Sequence, residues 1–248
     1  MLFRIICVTA LLMIVIFCFK DTTFLLLLAP SRVDFVTFRW IESFAAQFGI
    51  DFHFQHYQID LIATNLSSQF MMHITASVYL ALLGASPYIC YELFRFISPA
   101  LYDNERRYSI RIAMSVYLLF LTGVIICYFL LFPIAVRFLG TYQVSDMVKS
   151  TITIDSYIET FTTLTLLMGI VFQLPVIIFF LAKMGIVTPQ ILSKYRRHAL
   201  IIITIIAAVI TPPDIMTLIL VTIPMYLLYE LSILIAYKVY VRKNHNVQ

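Results

Sequence analysis

Charge is scarce in this chain: Asp, Glu, Lys and Arg make up 12% of its 248 residues, against about 25% in soluble domains. Glycine is scarce too, six in all, and neither GxxxxGK[ST] nor GxGxxG occurs, which removes support for a nucleotide-driven machine. HExxH and GxSxG are also missing, so neither a zinc protease nor a nucleophile-elbow hydrolase is written here. The four cysteines, Cys7, Cys18, Cys90 and Cys127, stand inside apolar segments with no CxxC pair and no His/Cys spacing suited to zinc. They read as small core residues. His53 and His56 lie in an aromatic stretch without a third ligand at metal spacing. No metal and no cofactor is expected.

What is present is apolar length. Hydrophobic residues make up 62% of the chain, and the mean hydropathy is +0.96. They come in blocks near bilayer length, parted by clusters of charge and proline, which sets aside a water-soluble fold around one apolar core. Six runs read as spans, about 2–19, 69–91, 110–136, 158–182, 199–211 and 215–236. The expected fold is an all-α polytopic membrane protein, a single transmembrane domain over 1–248. The first run ends Phe17-Cys18-Phe19-Lys20-Asp21 with no small-x-small cleavage site, so it reads as an uncleaved span. Pro133 and Pro175 fall within the third and fourth spans, tolerable where neighbouring helices satisfy the freed carbonyls. Phe24 to Ala29, ahead of Pro30, and Phe35 to Phe48 are too short and too charged to cross, and suit interfacial helices.

Charge then sets orientation. Six spans place both termini on one side, together with Arg95, Arg106, Arg107, Arg111, Lys183, Lys194, Arg196, Arg197, Lys238, Arg242 and Lys243. The other side holds most of the acids, so the positive-inside rule makes both termini cytoplasmic. The fifth run is short: Ala199 to Ile210 covers roughly 18 Å against a hydrocarbon core of about 30 Å. Either Lys194 to His198 extend that helix, or the bilayer thins beside it. Thr211-Pro212-Pro213-Asp214 forces a turn after it, with Asp214 placed to cap the next helix.

The net charge of +4 could point to nucleic acid, but the basic residues come in short groups beside apolar blocks, as topology signals do. The deep polar inventory is thin, His73, Gln173 and Glu230, whereas ion-coupled transporters keep ionisable groups at depth. His73 reads as a packing residue. Glu230 fits a hydrated anchor or a functional acid equally well. A secondary transporter or channel for a small molecule stands as the alternative function. An intramembrane enzyme would need a nucleophile or a matched pair of acids at one depth, and none is seen, so no enzyme is expected.

The loop after the second span reads Phe94-Arg95-Phe96-Ile97-Ser98-Pro99-Ala100-Leu101-Tyr102-Asp103-Asn104-Glu105-Arg106-Arg107. It resembles the F-x-x-P-x-L-Y-x-x-E-R-R signature of the TatC family, the multispanning receptor subunit of the twin-arginine protein translocase. Further matches follow in order: Gly169 to Pro175 in the fourth span, Lys194-Tyr195-Arg196-Arg197, Thr211-Pro212-Pro213-Asp214, and Ile223-Pro224-Met225-Tyr226-Leu227-Leu228-Tyr229-Glu230. Each is modest alone, but they run in family order over nearly the whole chain.

The resemblance implies a bacterial inner-membrane receptor, or an organellar one, that reads the paired arginines of signal peptides on folded proteins. It would assemble with single-span TatA/TatB-type partners and with further copies of itself, driven by the proton-motive force. It assigns signal-peptide binding to Glu105, Phe96, Leu101, Arg106 and Arg107. A carboxylate such as Glu105 can accept a bidentate bond from a guanidinium, which lysine reproduces poorly. Neighbouring Arg106 and Arg107 need not neutralise it, since adjacent helical residues do not face one another. Partner-binding or structural roles fall to Pro30, Pro87, Gln173, Pro175, Thr211, Pro212, Pro213, Asp214 and Glu230.

Three departures modify these expectations. The H-L-x-E-L-R segment that opens family members does not precede Met1-Leu2-Phe3-Arg4, so part of the recognition site is expected to be missing from the chain as written. Gln173 stands where many members carry glutamate and cannot hold charge. Leu218 stands where the family often has glutamine, making a partner contact beside Thr211 more apolar.

Overall fold

A backbone surrounded by lipid can satisfy its N–H and C=O groups only within its own segment, and the long apolar runs fold accordingly as helices. The computed structural model describes residues 1–32, 34–48, 61–97, 109–142 and 151–245. In chain order these form α1 (Leu2–Cys18), α2 (Lys20–Leu28), a 3-10 turn (Ala29–Ser31), α3 (Val36–Gln47), α4 (Ser68–Ile97) and α5 (Ser109–Ile126). A π-helical turn (Cys127–Leu131) leads into α6 (Phe132–Thr141), followed by α7 (Ile154–Val171), α8 (Leu174–Met184), α9 (Pro189–Lys194), α10 (Arg196–Ile210) and α11 (Ile215–His245). Two short strands, β1 (Leu61–Ile62) and β2 (Ile152–Thr153), pair in parallel with Leu61 opposite Ile152.

Among the described residues four helical stretches are long and apolar enough to cross a bilayer: Ser68–Leu93, Met114–Thr141, Ile154–Met184 and Ile215–Val241. They contain the second, fourth and sixth expected runs and most of the third. The first run is the 17-residue α1, which meets the Lys20–Phe44 stretch at 92°, a fifth crossing if the bent pair is taken as one span. The fifth run is α10, whose 15 residues start at Arg196, so Arg196 to His198 do lengthen the helix. At about 1.5 Å per residue it reaches roughly 22 Å, still short of a hydrocarbon core. The chain is a polytopic all-α membrane protein. Large apolar side chains on its surface, such as Val209 at 82% exposure, face a solvent as apolar as themselves.

The prolines explain the interruptions. Pro133 has no N–H and crowds the carbonyl four residues earlier, Phe129. The helix widens to a π turn just there, and the freed Phe129 carbonyl accepts the Thr37 hydroxyl of α3. Pro87 frees the Leu83 carbonyl inside α4 in the same way, and Ser86 donates to it at 2.6 Å. Pro175 stands in the first turn of α8, after α7 has ended at Val171. At the far end of α8, Gly185 adopts φ 81°, a left-handed conformation that costs a glycine little, and Ile186 N donates to Leu181 O at 3.0 Å to close the helix.

The chain forms two compact units, Met1–Leu118 with Ile125–Thr162, and Leu119–Val124 with Thr163–Gln248. In the first, α1 packs along α4. Its core is a ring cluster: Phe161 lies 4.8 Å from Phe132, 5.6 Å from Tyr79 and 6.0 Å from Tyr128, all edge-on. Two carbonyls at the end of α2, which no helical N–H can reach, are taken by tyrosines. Tyr128 donates to Leu26 O at 2.8 Å and Tyr157 to Leu27 O at 3.0 Å. Those bonds seat the buried Pro30 turn against the spans.

In the second unit, Gly123 and Gly169 bring two helices close. A Cβ on Gly123 would meet the Met168 carbonyl oxygen at 2.7 Å, and one on Gly169 the Phe120 ring at 2.6 Å. Small residues allow such approaches between membrane helices. Gly123→Ala is therefore expected to lose about 1–3 kcal/mol, because the backbone oxygen it strikes cannot swing aside. Thermal unfolding in detergent reads this directly, and an unchanged midpoint would show that the helices part at no cost.

Candidate functional site

The loop to which signal-peptide binding was assigned lies largely beyond the described residues. Leu101, Glu105, Arg106 and Arg107 are outside them, as is the side chain of Phe96. What is described is the helix that delivers the loop. α4 runs unbroken to Ile97 despite Pro87, whose own side is exposed.

Near that end lies a residue the sequence reading did not single out. Glu92 is 5% exposed. The Tyr88 hydroxyl, one turn earlier, donates to its Oε1 at 3.0 Å, and the Arg4 guanidinium of α1 stands 4.0 Å from the same oxygen. The signal was available, since Glu92 is the one carboxylate between Ser68 and Phe94, and an acid within an apolar run is costly to keep. His73, in the same helix, stacks on Phe17 at 4.1 Å and meets Phe24 at 5.8 Å, and its buried Nε2 has no hydrogen-bond partner among the described residues.

A second constellation joins the start of α10 to α11. Arg196 donates to Glu230 Oε2 at 3.0 Å, and the Tyr226 hydroxyl donates to Oε1 at 2.9 Å. Glu230 retains 31% side-chain exposure and Arg196 46%. Glu230 thus joins α10 to α11 from a partly exposed position. Tyr229 adds a bond from its hydroxyl to Leu192 O at 2.8 Å, tying α9 to the same helix.

The turn between α10 and α11 is the third. Thr211 is buried, with its hydroxyl turned back to Ala207 O at 3.0 Å. Pro212 and Pro213 stop the helix. Asp214 then caps α11: its Oδ1 accepts Thr217 N at 2.7 Å, and its Oδ2 accepts the Thr217 hydroxyl. An open groove of about 190 Å³ lies against Thr211, Pro212, Pro213, Ile215 and Leu218. Leu218 gives this groove an apolar wall. Asp214→Ala is expected to destabilise the fold by about 1 kcal/mol through loss of the cap, read as a lowered unfolding midpoint in detergent. An unaltered midpoint would mean that the cap contributes nothing.

Gln173 sits at the break between α7 and α8, its carbonyl accepting Val176 N and Ile177 N at 3.0 Å each, with the buried Pro175 in the turn it opens. Among the described residues no group of three or more His, Cys, Asp or Glu side chains gathers where a metal could bind.

Fold and sites together define a multispanning helical membrane protein whose polar groups gather at helix ends and turns. The family described as Sec-independent protein translocase protein (TatC) matches residues 1–224. This chain belongs to the TatC family, a membrane component of the twin-arginine protein translocase. It is 36% identical to the Sec-independent protein translocase protein TatC of Blattabacterium sp. subsp. Periplaneta americana over 225 residues, which cover 88% of this chain and 83% of that one. It is 38% identical to TatCy of Bacillus subtilis over 183 residues, 74% of this chain and 72% of that one. A crystal structure described as twin arginine translocase receptor TatC superposes with a TM-score of 0.76 at 29% identity, covering 96% of both chains.

Proposed function

We propose that this chain is the receptor subunit of its translocase, binding the twin-arginine signal peptides of folded proteins at the loop that follows α4. The observation that carries the reading is the Phe94 to Arg107 segment, with Glu105 as the guanidinium acceptor and Phe96 and Leu101 as its apolar flank. Arg106 and Arg107 stand beside it and also fit the orientation signal. With both termini in the cytoplasm, α4 carries this loop to the cytoplasmic surface of the bacterial inner membrane. The receptor name attached to the similar crystal structure supports the assignment.

The translocase partners are TatA/TatB-type single-span proteins and further copies of this chain. The groove beside Thr211 and Leu218 and the Arg196–Glu230 anchor are the surfaces we assign to such subunits. The chain acts by binding and performs no catalysis of its own. Photo-crosslinking of a twin-arginine precursor to the chain in membrane vesicles tests the reading. A crosslink lost when both arginines become lysine supports it. Absence of any crosslink, with small-molecule flux in liposomes holding this chain alone, would contradict it and favour a transporter.

A further inference from the structure

A carboxylate taken out of water is expensive unless it is paired and its remaining lone pairs are satisfied. Glu92 meets neither condition fully. Its Oε1 accepts the Tyr88 hydroxyl at 3.0 Å, but the nearest cation, Arg4, stays at 4.0 Å and is 65% exposed. That separation is outside hydrogen-bond range, and the Tyr88 bond is made to Oε1, not to Oε2. The pair is thus a guanidinium held loosely over a buried carboxylate, where α1 packs on the last turns of α4. Those turns lead straight into the segment assigned to peptide binding.

We propose that Glu92 is a second guanidinium seat, filled loosely by Arg4 in the resting chain and taken over by an arginine of the incoming peptide. The inference rests on the receptor reading. A guanidinium suits the seat better than an ammonium because its planar fork can give both carboxylate oxygens a donor at once, and the Tyr88 bond goes to Oε1, not to Oε2. Arg4 then acts as an internal competitor: the seat is available only in the fraction of molecules from which Arg4 has withdrawn, and apparent affinity falls by that fraction. Its exposure makes withdrawal easy, since the guanidinium moves into water.

The test is equilibrium binding of a labelled twin-arginine signal peptide, and of its twin-lysine counterpart, to the full chain in nanodiscs. Arg4→Ala is expected to tighten twin-arginine binding roughly threefold by removing the competitor. Glu92→Gln, which keeps an acceptor for Tyr88, is expected to weaken it about tenfold and to narrow the preference for arginine over lysine. If Arg4→Ala weakens binding or leaves it unchanged, or Glu92→Gln preserves the preference, the seat is wrong. Arg4 is exposed enough that its substitution tests the idea even if Glu92→Gln fails to fold. If the unsubstituted chain shows no preference for arginine, the receptor reading itself falls, a result distinct from failure of the seat alone.

Discussion

Glu105→Gln is expected to weaken binding of a twin-arginine signal peptide by about ten- to a hundredfold, the equivalent of losing a charge-assisted hydrogen bond of about 1.5–3 kcal/mol. Glutamine keeps the size and one acceptor of the side chain but loses the charge that makes a guanidinium preferable to other donors. The unfolding midpoint should stay where it is, because the amide keeps the size and shape of the acid. The discriminating quantity is the ratio of affinities for twin-arginine and twin-lysine peptides, which should collapse towards one. A full-strength ratio in Glu105→Gln would place the acceptor elsewhere in the chain. Because exposed ion pairs contribute about 0–1 kcal/mol, a large effect would also show that the loop shelters the bond from water.

The second large effect concerns the fold. Phe161 is 1% exposed, and its ring touches those of Tyr79, Tyr128 and Phe132. Phe161→Ala should cost about 3–5 kcal/mol, combining lost burial with the cavity left behind. The neighbouring tyrosine, Tyr157, is pinned by its bond to Leu27 O, so the surroundings cannot collapse into the void. We expect sharply reduced accumulation in the membrane and a lower unfolding midpoint in detergent. A loss below about 1 kcal/mol would show that this ring cluster repacks freely.

Much of the architecture was legible because lipid imposes a simple rule on apolar segments. The runs at 69–91, 110–136, 158–182 and 215–236 correspond to helices because no other local structure satisfies their backbones. The role of Asp214 was equally local, a cap three residues from the amide it accepts. Pro133 could be placed in a helix, but not the partner of the carbonyl it frees, since Thr37 is 92 residues away. The end of the first run near Phe19 was marked by Lys20 and Asp21, but the 92° angle of the bend there was not, since neither glycine nor proline stands at it. Glu92 was passed over because a lone acid shows its meaning only when Arg4 of another helix is seen beside it. Glu105, by contrast, stood out through a family resemblance and lies outside the described residues.

The reading turns on where an export peptide touches this chain. Photoreactive residues placed singly at Leu101 in the loop and at Trp40, exposed on α3, separate the possibilities in one experiment. We expect the twin-arginine peptide to crosslink from position 101 and not from position 40. Crosslinking from 40 alone would put recognition on α3 and not at the loop, and contradict the receptor assignment.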